Sequence, residues 1–248
     1  MTKYPKIAWA SAITPSSPEH YQKLLKEGIN DLIVCLHISG FGKYKAGEYH
    51  TVLAREAGLH TQPCLSSDLS SPALDMKYFF ALFTKLGYTQ NSKITIRLLS
   101  NPKVKNKKQQ LQRLIDYLSC IVPEHNLGVA VEKEDIDSGE FKLEEIPTSL
   151  NFTSINTKRL NAGIDRAGTW FYTIEFNDEV QPIGYDFYGF YTGNTEVQLS
   201  LDNVYIARPG DTWVTIATRY GIWLPKLLEL NDAKYETLVV PGQEIKLA

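Results

Sequence analysis

Cysteine is scarce. Cys35, Cys64 and Cys120 are the only three among 248 residues, an odd number with no C-x-x-C spacing. That excludes a disulfide framework, speaks against a zinc site, and fits a reducing compartment with all three packed as small buried hydrophobes. Long apolar runs are missing too: the longest, such as Leu32 to Leu36, fall far short of the ~20 residues that cross a bilayer. Neither sign of charge dominates. Lys plus Arg is 26 and Asp plus Glu is 28, a net charge of −2, which argues against nucleic acid or anionic membranes as partners. No G-x-x-x-x-G-K-[ST], G-x-S-x-G or H-E-x-x-H occurs, and neither a metal nor a cofactor is expected. The start, Met-Thr-Lys-Tyr-Pro-Lys, does not read as a secretory signal.

What is present is enough apolar residue, 43%, to bury a sizeable core. Strand-like and helix-like segments alternate through the first two-thirds. Ile7 to Ile13 is extended, and Ser17-Pro18-Glu19 caps a helix that Gly28 stops. Leu32 to Ile38 is β-branched, as buried parallel strands are. Helices are predicted at 49–57, 73–86 and 107–122, and strands at 60–65, 93–99, 128–131, 149–154, 170–176 and 185–190. The charged stretch 132–146 reads as a loop or a poor helix. About eight strands separated by helices predict an α/β fold, a small (β/α)8-like barrel over residues 1–195 with some helices short or absent. A polar linker is expected at 196–203 and a separate module at 204–248.

That last module reads strand, helix, helix, strand (βααβ). Arg208-Pro209-Gly210-Asp211-Thr212 makes a turn and a helix cap, Ile216, Ala217 and Tyr220 give an apolar face, and Pro241-Gly242-Gln243 leads into the closing strand. The P-G-D-T turn, the I-A-x-x-Y-G helix end, the L-x-x-L-N pair and the P-G-Q close resemble, in order and spacing, a LysM module. LysM modules bind N-acetylglucosamine-containing chains of peptidoglycan or chitin. The resemblance implies a shallow groove with Gly210, Asp211, Thr212 and Trp213 on one side and Asn231, Asp232 and the stretch up to Val240 on the other. Trp223 stands where a small polar residue is common, either packed on the large domain or free to stack on a sugar.

The large domain resembles a glycoside hydrolase family 25 lysozyme. Trp170-Phe171-Tyr172, Pro182-Ile183-Gly184 and Tyr185-Asp186-Phe187 stand where that family has its W-x-Y strand, a bend and its V-D-L-N strand. Arg55-Glu56-Ala57-Gly58-Leu59 resembles its A-x-x-A-G-L segment. The family has a barrel fold, cleaves after N-acetylmuramic acid, and uses an Asp on the first strand with a D-x-E on the fourth. Those acids are missing here. The first strand is Ile7-Ala8-Trp9-Ala10-Ser11, and the fourth offers Arg97 and Leu99, neither of which can protonate a leaving group. Candidate replacements are Asp186, the one acid on a matching position, together with Glu175 and Glu132; Asp68 and Glu134 also flank strands. His37 is expected to be a hydrogen-bonded structural histidine, and the run Lys103, Lys105, Lys107 and Lys108 a solvated helix start.

These readings imply a peptidoglycan-binding protein of bacterial or phage origin with a lysozyme-like barrel that no longer cuts. The alternatives are an active muramidase with relocated acids, or a phage structural protein that docks on the wall through LysM. Synthesis in the cytoplasm is expected, with action at the wall after lysis, holin release or carriage on a phage particle. Single LysM modules bind weakly, so a homo-oligomer would raise affinity.

Overall fold

The β-branched runs of the first two-thirds become the staves of a closed barrel. The computed structural model describes residues 4–42, 44–158, 161–193, 204–208, 210–220 and 222–247. Eight strands close in sequence order: β1 (Lys6–Ala10), β2 (Asp31–Ile38), β3 (His60–Ser67), β4 (Ile94–Leu98), β5 (Leu127–Glu132), β6 (Asn151–Ile155), β7 (Ala167–Phe176) and β8 (Glu179–Asp186). Helices α1 (Pro18–Lys26), α2 (Lys45–Ala57), α3 (Pro72–Lys85) and α4 (Lys107–Ser119) cover the first four crossovers. The fifth is only a short helix, α5 (Lys133–Asp137), where four of the five residues are charged and leave no apolar face to dock.

Local chemistry sets the helix ends. The Ser17 side chain accepts from the His20 amide at 3.2 Å with Pro18 in the first turn, as its sequence implies. At the end of α2, Gly58 takes φ 103°, a left-handed conformation that favours glycine. On the same helix Gly47 lies against β2: a Cβ there would stand 2.4 Å from the Cys35 carbonyl oxygen.

The last strand departs from the expectation. β1 to β7 run parallel, whereas β8 runs antiparallel to both β7 and β1, and it occupies Glu179–Asp186 rather than 185–190. The cause is the connection. Asn177 and Asp178 have φ of 50° and 62°, the two left-handed residues of a tight hairpin, and two residues can only return the chain antiparallel. Beyond Asp186 the chain turns instead of extending.

The core has two layers. Between strands and helices pack residues such as Tyr21, Leu24, Leu65, Phe79, Leu114 and Leu118. Inside the barrel lie Ile7, Trp9, Ile33, Cys64, Ala130, Phe171 and Tyr191. Tyr191 plugs the interior, its hydroxyl 2.8 Å from Thr95 Oγ1 and 3.3 Å from Thr153 Oγ1. Cys35 and Cys64 are buried, as expected of small hydrophobes, but Cys120 is exposed near the end of α4.

The second module contains β9 (Val204–Ile206), α6 (Trp213–Tyr220), α7 (Leu224–Leu230) and β10 (Glu244–Lys246), with β9 and β10 paired antiparallel. Tyr205, Ala207, Trp213, Ile216, Leu227 and Ile245 form its own small core. The whole of the expected linker, 196–203, like Pro209 and Gly221 of the motif, lies outside the described residues. The module rests on the barrel. Tyr4 donates to the Ile206 carbonyl at 2.6 Å, and the Arg208 guanidinium bonds the Tyr188 hydroxyl while lying over the Phe187 ring at 5.4 Å and the Tyr188 ring at 5.0 Å. Trp223 takes no part in this contact: it is 75% exposed, which removes packing on the large domain as its role.

Candidate functional site

The carboxyl ends of parallel barrel strands are where such folds assemble reacting groups. Here β1 carries no acid, and the places that the resemblance gives to the acids of the fourth strand hold Arg97 on β4 and Leu99 just past it, with Trp9 of β1 beside Arg97. The Arg97 guanidinium carbon lies 5.7 Å from the Trp9 ring centre, and Nη2 donates to Glu132 Oε1, at the end of β5, at 2.8 Å. Arg97 Nε is enclosed with no partner among the described residues. Leu99 sits just past β4, its amide held by the Ser67 carbonyl at 2.9 Å. Below them Cys35 pairs in register with Cys64, and the Cys35 thiol lies 3.4 Å from Ser66 Oγ. Tyr44 reaches the same mouth, accepting from the Ala12 amide at 2.8 Å, and burial pushes its hydroxyl up to about 12.

Glu132 is the one candidate acid at this mouth with a shaped environment. Burial raises its carboxyl above the ordinary range, and the Arg97 charge opposes the rise. The acids that raise it further are its chain neighbours Asp135 and Glu134, not a carboxylate across the opening. Glu175 is exposed near the tip of the β7–β8 hairpin, which Glu179 ties to α1 through His20 at 2.7 Å and Lys23 at 3.1 Å.

Asp186 lies at the opposite end of the barrel. Because β8 runs antiparallel, its last residue reaches the floor, where the Asp186 amide donates to the Pro5 carbonyl at 3.0 Å. Its side chain is wholly buried and accepts from Thr169 Oγ1, from the amides of Phe190, Tyr191 and Thr192, and from Thr192 Oγ1, all within 3.2 Å. It fastens the turn that carries Tyr191. Enclosed on every side, it cannot touch a polymer. His37 is likewise structural, its Nε2 3.0 Å from Asp75 Oδ1 and its ring stacked on Tyr78. Lys107 and Glu140 pair at 3.2 Å, so one member of the lysine run is less solvated than expected.

In the second module the expected groove residues divide by role. Asp211 is internal: one carboxylate oxygen accepts from the Arg208 amide at 2.7 Å and from the Tyr205 hydroxyl, the other from Arg219 at 3.2 Å. Thr212 and Thr215 cap α6 reciprocally, each amide donating to the other's hydroxyl at 2.9 and 3.1 Å. Trp213 is buried, and its indole N–H donates to the Thr237 carbonyl at 2.8 Å, tying the two sides of the groove together. Asn231 does the same for α7 and β10, bonding the Leu227 carbonyl and both backbone groups of Lys246. Asp232 is left-handed at φ 49° and exposed. Val240 is exposed, and so are two residues the sequence did not single out, Tyr235 at 66% and Leu238 at 84%. Apolar side chains that open to water over so short a stretch were the available signal.

Among the described residues no group of three His, Cys, Asp or Glu is placed to hold a metal ion, and no helix is long and apolar enough to cross a membrane.

Comparison with known proteins separates the two halves. Residues 205–248 match the LysM domain family. The barrel is similar to a family 25 glycosyl hydrolase from Bacillus anthracis, with a TM-score of 0.60 at 12% identity over 79% of this chain and 93% of that one. It is also similar to the catalytic domain of endolysin ply40 from bacteriophage P40 of Listeria monocytogenes, with a TM-score of 0.56 at 12% identity over 73% and 92%. The modular autolysin LytC from Streptococcus pneumoniae, solved with a synthetic peptidoglycan ligand, gives a TM-score of 0.57 at 13% identity. That match covers 74% of this chain but only 46% of LytC, so the chain spans about half of the autolysin's length. No curated protein matches the chain. The protein therefore joins a barrel with the fold of the family 25 lysozymes to a LysM domain, a peptidoglycan-binding module, at residues 205–248.

Proposed function

We propose that the protein binds the glycan of bacterial peptidoglycan through its LysM domain and that its barrel does not hydrolyse that glycan. The LysM match carries the binding half of this reading. Trp213 and Asn231 hold the groove's two sides in place, and Tyr235, Leu238 and Val240 offer the apolar wall that an acetyl methyl group needs. Gly210, Asp211, Thr212 and Asp232 shape the backbone that would meet the sugar's amide and hydroxyl groups.

The Trp9–Arg97–Glu132 cluster carries the other half. Glycoside hydrolysis needs two carboxyl groups about 5 to 9.5 Å apart across the scissile bond. At this mouth a guanidinium and a leucine stand in the places the resemblance gives to acids, and the guanidinium, beside the Trp9 indole, engages the half-buried Glu132. The muramidase reading is favoured by the barrel's likeness to family 25 hydrolases and by the raised carboxyl of Glu132, which suits an acid catalyst, but the acids that raise it, among the described residues, are its chain neighbours Glu134 and Asp135. Action at the cell wall follows from either reading.

The binding half is tested by sedimenting the full chain with purified insoluble peptidoglycan. The wild type should move into the pellet, and Leu238→Asp with Val240→Asp should leave most of it in solution without loss of folded structure by circular dichroism. Wild-type protein that stays in solution contradicts the proposal.

A further inference from the structure

Where the LysM domain rests on the barrel, the two enclose a cleft of about 510 Å3. One wall is the β6–β7 connection, with Asn161 and the exposed carboxylate of Asp165, which has no partner among the described residues. The other wall is α6, with Val214, Thr218 and Arg219. The walls meet where Gly210 packs on Asn161 so closely that a Cβ at Gly210 would stand 2.0 Å from the Asn161 Cβ.

The charges in this cleft are divided between its walls. Among the described residues Asp165 is the one charged group lining the barrel side, whereas the LysM side has Arg208 and Arg219 against Asp211. A carboxylate therefore faces a wall with one cation in excess. A neutral sugar would leave both unanswered, whereas a short peptide with a free amine and a free carboxylate answers both. The threonine and asparagine groups between them suit peptide amides. Gly210 and Asp211 also belong to the loop that forms one side of the glycan groove, so the two sites share a wall.

We propose that this cleft is a second binding site, for the peptide branch of the wall polymer. The proposal rests on the reading of the LysM domain as a binder of that polymer's glycan. The branch amine meets Asp165, and its carboxylate meets the side of Arg219 that faces the cleft. Joining two weak sites on one ligand raises affinity without any new contact at either site.

The test titrates the full chain, by calorimetry, with a wall tetrasaccharide bearing an L-alanyl-D-isoglutaminyl-L-lysine stem and with the same tetrasaccharide without it. The wild type should bind the stem-bearing ligand about tenfold more tightly. Val214→Trp, which fills the cleft from an exposed helix position, and Asp165→Asn, which removes its free carboxylate, should each erase most of that difference and leave the stem-free affinity unchanged. Equal affinity for the two ligands, or a preference that survives both substitutions, overturns the cleft proposal alone. A wild-type chain that binds neither ligand overturns the glycan reading and this proposal with it.

Discussion

Asp186 and Glu132 show how position in a barrel decides what a carboxylate does. Asp186 sat on a matching position in the sequence, but only the direction of β8 reveals that this position is the barrel floor, where five donors enclose it. Glu132 looked like one of several flanking acids, and its distinction comes from Arg97, a residue 35 positions away. Arg97 and Leu99, in the places the resemblance gives to acids, were legible directly, because neither can stand in for a carboxylate in any fold. In the LysM domain the cap at Thr212 was local and therefore readable, whereas Asp211, also expected to cap, is bound by Arg208, Tyr205 and Arg219 instead. The bond from Trp213 to Thr237 spans 24 residues and was not. Trp213→Ala removes this large buried side chain and its hydrogen bond, and should destabilise the domain by about 3–5 kcal/mol. Urea unfolding followed by the domain's amide signals would show it, with the barrel's transition unmoved.

At the scale of elements, the parallel strands and their covering helices followed from β-branched runs and helical spacing, which report burial on both faces or on one. The closing hairpin did not, since alternating aromatics through 185–190 imitate a strand. The decisive signal was Asn177-Asp178, a short pair tolerant of left-handed backbone. Asp178→Gly relieves that conformation and should stabilise the barrel by about 0.5–1 kcal/mol in thermal unfolding. The hairpin's hold on α1 should depend on pH. The His20 hydrogen bond and then Lys23 keep the Glu179 carboxyl below its ordinary value of 4.5. A carboxylate lowered in the folded state adds stability above its unfolded value and loses it as pH falls through the lowered one. Hydrogen exchange at β8 amides should therefore quicken as pH drops below about 4.5 beyond the intrinsic trend, and Glu179→Gln should remove that extra dependence.

At the scale of the molecule, Arg208 joins the two halves. Its guanidinium lies over Phe187 and Tyr188 and bonds the Tyr188 hydroxyl, so the LysM domain has a defined seat on the barrel. Arg208→Ala should leave both halves folded and broaden their relative placement, seen as a larger radius of gyration in small-angle scattering; an unchanged profile would show that Tyr4 and the packing of Gly210 on Asn161 set the seat without it. The sequence pointed to two modules but carried no sign of this contact, because cation–aromatic pairing between distant segments has no local pattern.

We propose that the chain holds the wall polymer through its LysM domain and that its lysozyme-like barrel does not cut it. Release of soluble reducing ends from purified peptidoglycan, followed from pH 4 to pH 8 with wild type and Glu132→Gln side by side, tests it most directly. Both proteins should sediment with the wall, and neither should release reducing ends above the level of a protein-free control. Release by the wild type that disappears in Glu132→Gln would contradict it and make Glu132 the acid of a working muramidase.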